Sequence, residues 1–183
     1  MALAWLLAAI VIGATGTLPR LRPPAPQLIL GSLTFALLAA WRMAGSFRRW
    51  VETVDLRWFI AVHTTRFVGF YFMLLCGRAE LSCRFAMPAG WGDVFVATGA
   101  TLLLIFWKLV AARRGWVAAW NSFALLDILF VVASAARHGM ADPASMAAML
   151  RLSLSLLITF LVPLIIASHV FIFSRLTETR SKV

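Results

Sequence analysis

Charge is what this chain has least of. Asp, Glu, Lys and Arg make up 13% of its 183 residues, where a soluble domain carries about 25%. Acidic residues number seven, and one of them, Asp127, lies inside a long apolar run, which leaves little for acid–base chemistry by paired carboxylates. No Gly-x-Ser-x-Gly, His-Glu-x-x-His or Walker spacing occurs, so hydrolase and phosphate-loop readings have nothing to rest on. The two cysteines, Cys76 and Cys83, are not in Cys-x-x-Cys spacing, which removes the usual thiol-exchange motif.

What the chain has in excess is apolar surface. Hydrophobic residues reach 62% and mean hydropathy is +0.91. Such a composition excludes disorder and a water-soluble fold, and predicts an all-α, polytopic integral membrane protein. A span needs roughly 20 mostly apolar residues to cross about 30 Å of hydrocarbon. Six segments qualify, at about 2–18, 27–46, 58–76, 92–112, 117–136 and 151–174, forming a single transmembrane domain over 1–183. The first is short and is followed by Pro19, Pro23, Pro24 and Pro26, which force an extended connection. It has no Lys or Arg ahead of it, against a signal peptide, while Ala14–Thr15–Gly16 has the small residues of a cleavage site.

The net charge of +10 falls mostly between the apolar runs, which predicts membrane anchoring and contact with anionic lipid rather than nucleic acid. Arg42, Arg48, Arg49, Arg57, Lys108, Arg113, Arg114, Arg175, Arg180 and Lys182 fall on one side, and Arg20, Arg22, Arg78, Arg84, Arg137 and Arg151 on the other. By the positive-inside rule the first side is cytoplasmic, with both termini inside. The Ala- and Arg-rich usage suits a GC-rich bacterial genome, and with it the inner membrane. Most tryptophans fall near the cytoplasmic boundary, as an interface belt would. Residues 47–57 alternate Phe47, Trp50, Val51 and Val54 with Arg48, Arg49, Glu52 and Asp55 at helical spacing. They predict an amphipathic helix on the cytoplasmic surface, capped by Ser46. Ser32, Ala36, Ala40 and Ala44 form a small-residue stripe suited to close helix contact.

Ionisable residues inside a span cost about 2.5–3.5 kcal/mol on insertion scales, so each needs a reason. Arg66 and Asp127 sit at the midpoints of spans three and five, which predicts an interhelical ion pair. Pro163 on span six frees the carbonyl of Thr159 at a comparable depth, so spans three, five and six are expected to meet around a polar midplane. His63, His169 and Asn121 share a second depth. They read either as neutral residues hydrogen-bonded in the bundle or, for the two histidines, as axial ligands of a b-type haem, a quinone site, or a metal or proton relay. No metal set is complete, since zinc wants four ligands or three and water. Cys76 and Cys83 share an external loop and either form a local disulfide or stay apart. Pro88–Ala89–Gly90–Trp91–Gly92–Asp93 reads as an external turn in which Asp93 caps span four.

Four motifs taken together resemble small, uncharacterised bacterial multi-pass membrane proteins. They are Arg66–Phe67–Val68–Gly69, Gly90–Trp91–Gly92–Asp93, Trp120–Asn121 with Leu126–Asp127, and Phe160–Leu161–Val162–Pro163 with His169. The resemblance covers spans three to six and implies no activity. Three functions remain open at this point. One is an accessory subunit of a larger membrane complex or a homo-oligomer. The second is a small-solute or proton-coupled transporter or ligand-binding protein built on Arg66 and Asp127. The third is a haem- or quinone-linked redox protein using His63 and His169. An enzyme is the less favoured expectation.

Overall fold

The computed structural model describes residues 2–110 and 113–178. Arg180 and Lys182 of the basic count, and the last two positions of the expected span 92–112, lie outside them. Among the described residues every regular element is helical. Four helices are long and apolar enough to cross a membrane: Leu56–Gly77, Cys83–Ile105, Arg114–Ala141 and Leu157–Thr177. A fifth is α2 (Ala25–Met43) counted together with α3 (Gly45–Thr53), which turns 92° away from it. The first expected span is shorter than its sequence predicts. Helix α1 (Ala2–Ala14) has 13 residues, about 20 Å at 1.5 Å per residue.

The bundle is turned inside out relative to a soluble protein. Phe35, Phe95, Leu102 and Leu126 lie exposed along the helices, whereas His63, Arg66, Asp93, Asn121, Thr159 and His169 are buried. A large exposed apolar surface marks contact with an apolar partner.

Helix α3 carries the amphipathic segment, and Ser46 does not cap it. It begins at Gly45 with no side-chain cap. Val51 is buried and Arg48 pairs with Glu52 at 3.7 Å on the open side. Phe47 packs edge-on to Phe171, and Arg175 Nη1 donates to the carbonyls of Val51 and Val54, pinning the end of α3. The cap belongs to the next helix, α4 (Leu56–Ala61), where Asp55 Oδ1 accepts from the Arg57 N–H at 2.9 Å. Side-chain and backbone hydrogen bonds from Arg57 hold the Asp55 carboxyl below the usual carboxylate range. The stripe Ser32–Ala36–Ala40 of α2 faces outward and takes no part in the packing of the bundle.

Between α4 and α5 (Gly69–Gly77) the chain winds as a 3₁₀ helix over Val62–Val68. Thr64 and Thr65 donate to the carbonyls three residues back, each at 2.7 Å, and Val62 and Val68 add β-branched crowding. A 3₁₀ helix eclipses residues three apart. The buried stripe keeps that period throughout: Ile60, His63, Arg66, Gly69, Phe72 and Leu75. His63 and Arg66 therefore lie one above the other on the inner face.

Helix α6 (Cys83–Ile105) overturns the external turn expected at 88–93. Those residues are helical, Pro88 lies in its second turn, and Asp93 is near its middle. Pro88 is tolerated because the carbonyl it leaves free belongs to Arg84, close to the helix start. The glycines serve helix contact, not turning. A Cβ on Gly90 would meet the Gly69 carbonyl oxygen at 2.7 Å, and one on Gly99 would meet Trp120 at 2.8 Å. Helix α7 (Trp107–Val110) leads to α8 (Arg114–Ala141).

A 3₁₀ segment over Ala144–Leu150 and a break follow, so the sixth span starts at 157 rather than 151. It opens with a π-turn, Leu157–Leu161, before α9 (Val162–Glu178). That turn and Pro163 loosen the ladder around Thr159, whose carbonyl accepts from Trp5 Nε1 at 2.9 Å. Trp5 thus faces the bundle instead of an interface belt. Trp120 does too, donating to the Val96 carbonyl at 3.2 Å. Cys76 and Cys83 form a disulfide beside the α5–α6 connection. That connection meets the 144–150 segment, where the Ser82 N–H donates to the Ser145 carbonyl.

Candidate functional site: an ion cluster at the foot of an apolar cavity

Arg66 enters the bundle from the 3₁₀ segment and is almost fully buried. Its Nε donates to Asp93 Oδ1 at 2.6 Å, its Nη1 to the Ala124 carbonyl at 3.1 Å, and its Nη2 to Asp127 Oδ2. The expected pair with Asp127 is therefore one half of a cluster of three, and Asp93 is the member that sequence reasoning placed at a helix cap. Small residues make the reach possible. Ala86, Ala89, Gly90, Ala97 and Ala100 line the buried face of α6, and Gly92 leaves the room that Asp127 occupies, since a Cβ there would overlap its carboxylate. The remaining member of the expected midplane lies elsewhere. The Thr159 hydroxyl donates to the Ser155 carbonyl, and neither Thr159 nor Pro163 bonds to Arg66 among the described residues.

The histidines form a second cluster, one 3₁₀ turn from the first. Their ring centroids are 4.4 Å apart, with Trp120 edge-on to His63 at 5.0 Å. Ser168 spends its one hydroxyl proton on the Ile165 carbonyl at 2.7 Å, so at 3.0 Å it accepts from His63 Nε2. Asn121 donates from Nδ2 to the His169 carbonyl, so its Oδ1 accepts from His169 Nδ1 at 2.8 Å. These bonds put a proton on His63 Nε2 and on His169 Nδ1. His63 Nδ1 and His169 Nε2 are buried without a partner, so a second proton on either ring would find no acceptor among the described residues.

This geometry corrects the haem expectation. Metal–imidazole bonds of about 2 Å on opposite sides of an iron hold the ring centroids about 6 Å apart. The observed 4.4 Å leaves no room for a porphyrin between the rings. Among the described residues no group of three His, Cys, Asp or Glu side chains is placed to hold a metal ion.

Above the ion cluster lies a cavity of about 300 Å³. Its walls come from α2, α5, α8, the 144–150 segment and α9, with Leu30, Phe72, Ile128, Val131, Met149 and Ile165 among them. At one end are Thr65, Arg66 and Asp93; toward the other lie Pro19, Leu21, Pro23 and Arg151 from the connections. The cavity was not legible in the sequence, because its lining is scattered over α2, the 3₁₀ segment at 62–68, α5, α6, α8 and α9 and most of its residues read as ordinary core.

An all-helical protein with four or five helices able to cross a membrane, holding a buried cation between two carboxylates, is the class these observations define. The chain belongs to the family described as Domain of unknown function (DUF8737), which matches residues 23–177. Both clusters and the helical part of the cavity wall fall inside that range, whereas α1 falls outside it. No curated protein and no solved structure matches the chain.

Proposed function

We propose that this is an integral membrane protein that binds a small apolar molecule within the bundle. The observation that carries the reading is the cavity: an apolar chamber of about 300 Å³ that ends on Arg66 and Asp93. Ligand pockets start near this size, are mostly apolar and hold a few convergent polar groups. An intramembrane ion cluster is by default a functional candidate. The exposed Phe and Leu residues of the outer faces support burial in lipid. In this reading the Arg-rich ends of α3, α8 and α9 face the cytoplasm of a bacterial cell, and the cavity opens toward the opposite side. Five crossings follow when α2 is counted with its bend. Helix α1 makes a sixth only with the bilayer thinned around it. An accessory-subunit role would use the outward stripe of α2 as a helix-contact face.

The test is a thermal melt of the detergent-purified chain with 1-adamantanol, a compact neutral probe. A ligand at 100 times its Kd stabilises by about 2.7 kcal/mol, a rise of roughly 5–10 °C for a chain of this size. Ala136→Trp, which fills the cavity wall, is expected to remove the rise. No rise with the wild-type chain, or the same rise with Ala136→Trp, contradicts the proposal.

A further inference from the structure

Resting on that reading, we infer that the cavity's ligand is a small lipophilic amine, bound as its ammonium, with the positive head against Asp93. The inference comes from counting charges and hydrogen-bonding atoms at the inner end. One guanidinium faces two carboxylates, Asp93 and Asp127. With both acids ionised the cluster holds one negative charge that nothing in the bundle balances. The neighbouring histidines do not supply it, because a second proton on His63 Nδ1 or His169 Nε2 would be buried with no acceptor among the described residues. Arg151, the other charged residue lining the cavity, is exposed and hydrated. An unbalanced buried carboxylate either takes up a proton or is met by a partner of opposite sign, and a bound ammonium is such a partner.

The polar atoms left over at that end are mostly acceptors; of the five N–H groups of Arg66 only two, one each on Nη1 and Nη2, lack a protein partner. Each guanidinium nitrogen of Arg66 already donates to a protein oxygen. Asp93 Oδ2 receives no hydrogen bond among the described residues. The Thr65 hydroxyl spends its proton on the Val62 carbonyl, so it offers the cavity only lone pairs. Farther out, Gln27 lines the wall with its Oε1 buried and without a donor. A carboxylate ligand would face Asp93, with only the two spare N–H groups of Arg66, a cation already held by two acids, to receive it. An ammonium meets Asp93 Oδ2 and Thr65 Oγ1, and its apolar body fills the chamber above.

Three probes of one shape and different heads decide the matter: 1-aminoadamantane, 1-adamantanol and adamantane-1-carboxylate. Binding is measured by equilibrium dialysis against the full chain in detergent, with empty micelles as the blank. The amine is expected to bind at least tenfold more tightly than the alcohol, and the carboxylate more weakly than either. Asp93→Asn is expected to collapse the gap between amine and alcohol. Equal binding of amine and alcohol, or a preference for the carboxylate, overturns the charge assignment while leaving the cavity reading intact. Failure of all three probes overturns both. Should Asp93→Asn not fold, the order of the three heads on the wild-type chain alone decides.

Discussion

Arg66→Leu is expected to lower stability more than any other single substitution in the interior. It leaves Asp93 and Asp127 buried on neighbouring helices with no counter-ion. Removing one partner of a buried ion pair costs about 3–5 kcal/mol, because the uncompensated charge stays buried. For a chain of this size that is a fall of roughly 6–20 °C in the apparent Tm, read in a detergent melt. The triple variant Arg66→Met, Asp93→Asn, Asp127→Asn removes every charge at once and is expected to regain most of the loss. Buried ion pairs replaced whole by neutral groups are often no less stable than the original. The same variant separates structure from function. It is expected to fold yet bind 1-aminoadamantane no better than 1-adamantanol. A triple variant that still prefers the amine as the wild type does would reduce the cluster to a device for helix pairing.

Gly90→Val is the second substitution expected to act strongly. Even the first carbon of a side chain there meets the Gly69 carbonyl oxygen at 2.7 Å and Met73 Cγ at 3.0 Å. The obstacle is backbone, so α6 must move away from the span that carries Arg66. Overpacking costs about 1–3 kcal/mol and occasionally more, and here the shift also pulls Asp93 off Arg66. Gly31→Ala is the matched control, since a Cβ at Gly31 has no neighbour within 4 Å. It is expected to be neutral or slightly stabilising, as Ala is the better helix former. Detergent melts of the two variants side by side check the contrast, and equal effects would contradict the close crossing at Gly69 and Gly90.

The helical class and the approximate position of most long apolar helices were legible because hydrophobic length is a strong signal. The polar interior was legible in part for the same reason: where charge is scarce, Arg66 and Asp127 stand out. Asp93 was not, and the cause is local. Pro88, Gly90 and Gly92 surround it with residues that punctuate soluble chains. Between apolar helices the glycines instead permit close crossing, and a proline near a helix start breaks little. The three-residue spacing of His63 and Arg66 did put those two on one face, whereas the burial of Ile60, Gly69, Phe72 and Leu75 at the same period is seen only in the fold.

Pairing geometry was beyond the sequence. Matched depth placed His63, His169 and Asn121 together, but only coordinates show the rings too close for a porphyrin. The freed Thr159 carbonyl was foreseeable from Pro163, whereas its donor, Trp5, lies 154 residues away. The end of α1 and the start of the last span were missed because the irregular stretches at 15–18 and 151–154 carry enough apolar residues to read as helix.

Cysteine labelling in intact cells tests the central claim most directly, that the bundle lies in lipid with a cavity open on one side. Both native cysteines are bonded to each other, so an introduced thiol is the only reactive one among the described residues. Such reagents attack the hydrated thiolate. Ala136→Cys lines the cavity and is expected to react with a membrane-impermeant methanethiosulfonate added outside, and to be protected by 1-adamantanol. Leu126→Cys, on the outer face of α8 and 68% exposed in the isolated chain, is expected not to react, because lipid covers it. Rapid labelling of Leu126→Cys, or labelling of Ala136→Cys that the probe leaves unchanged, would contradict the account.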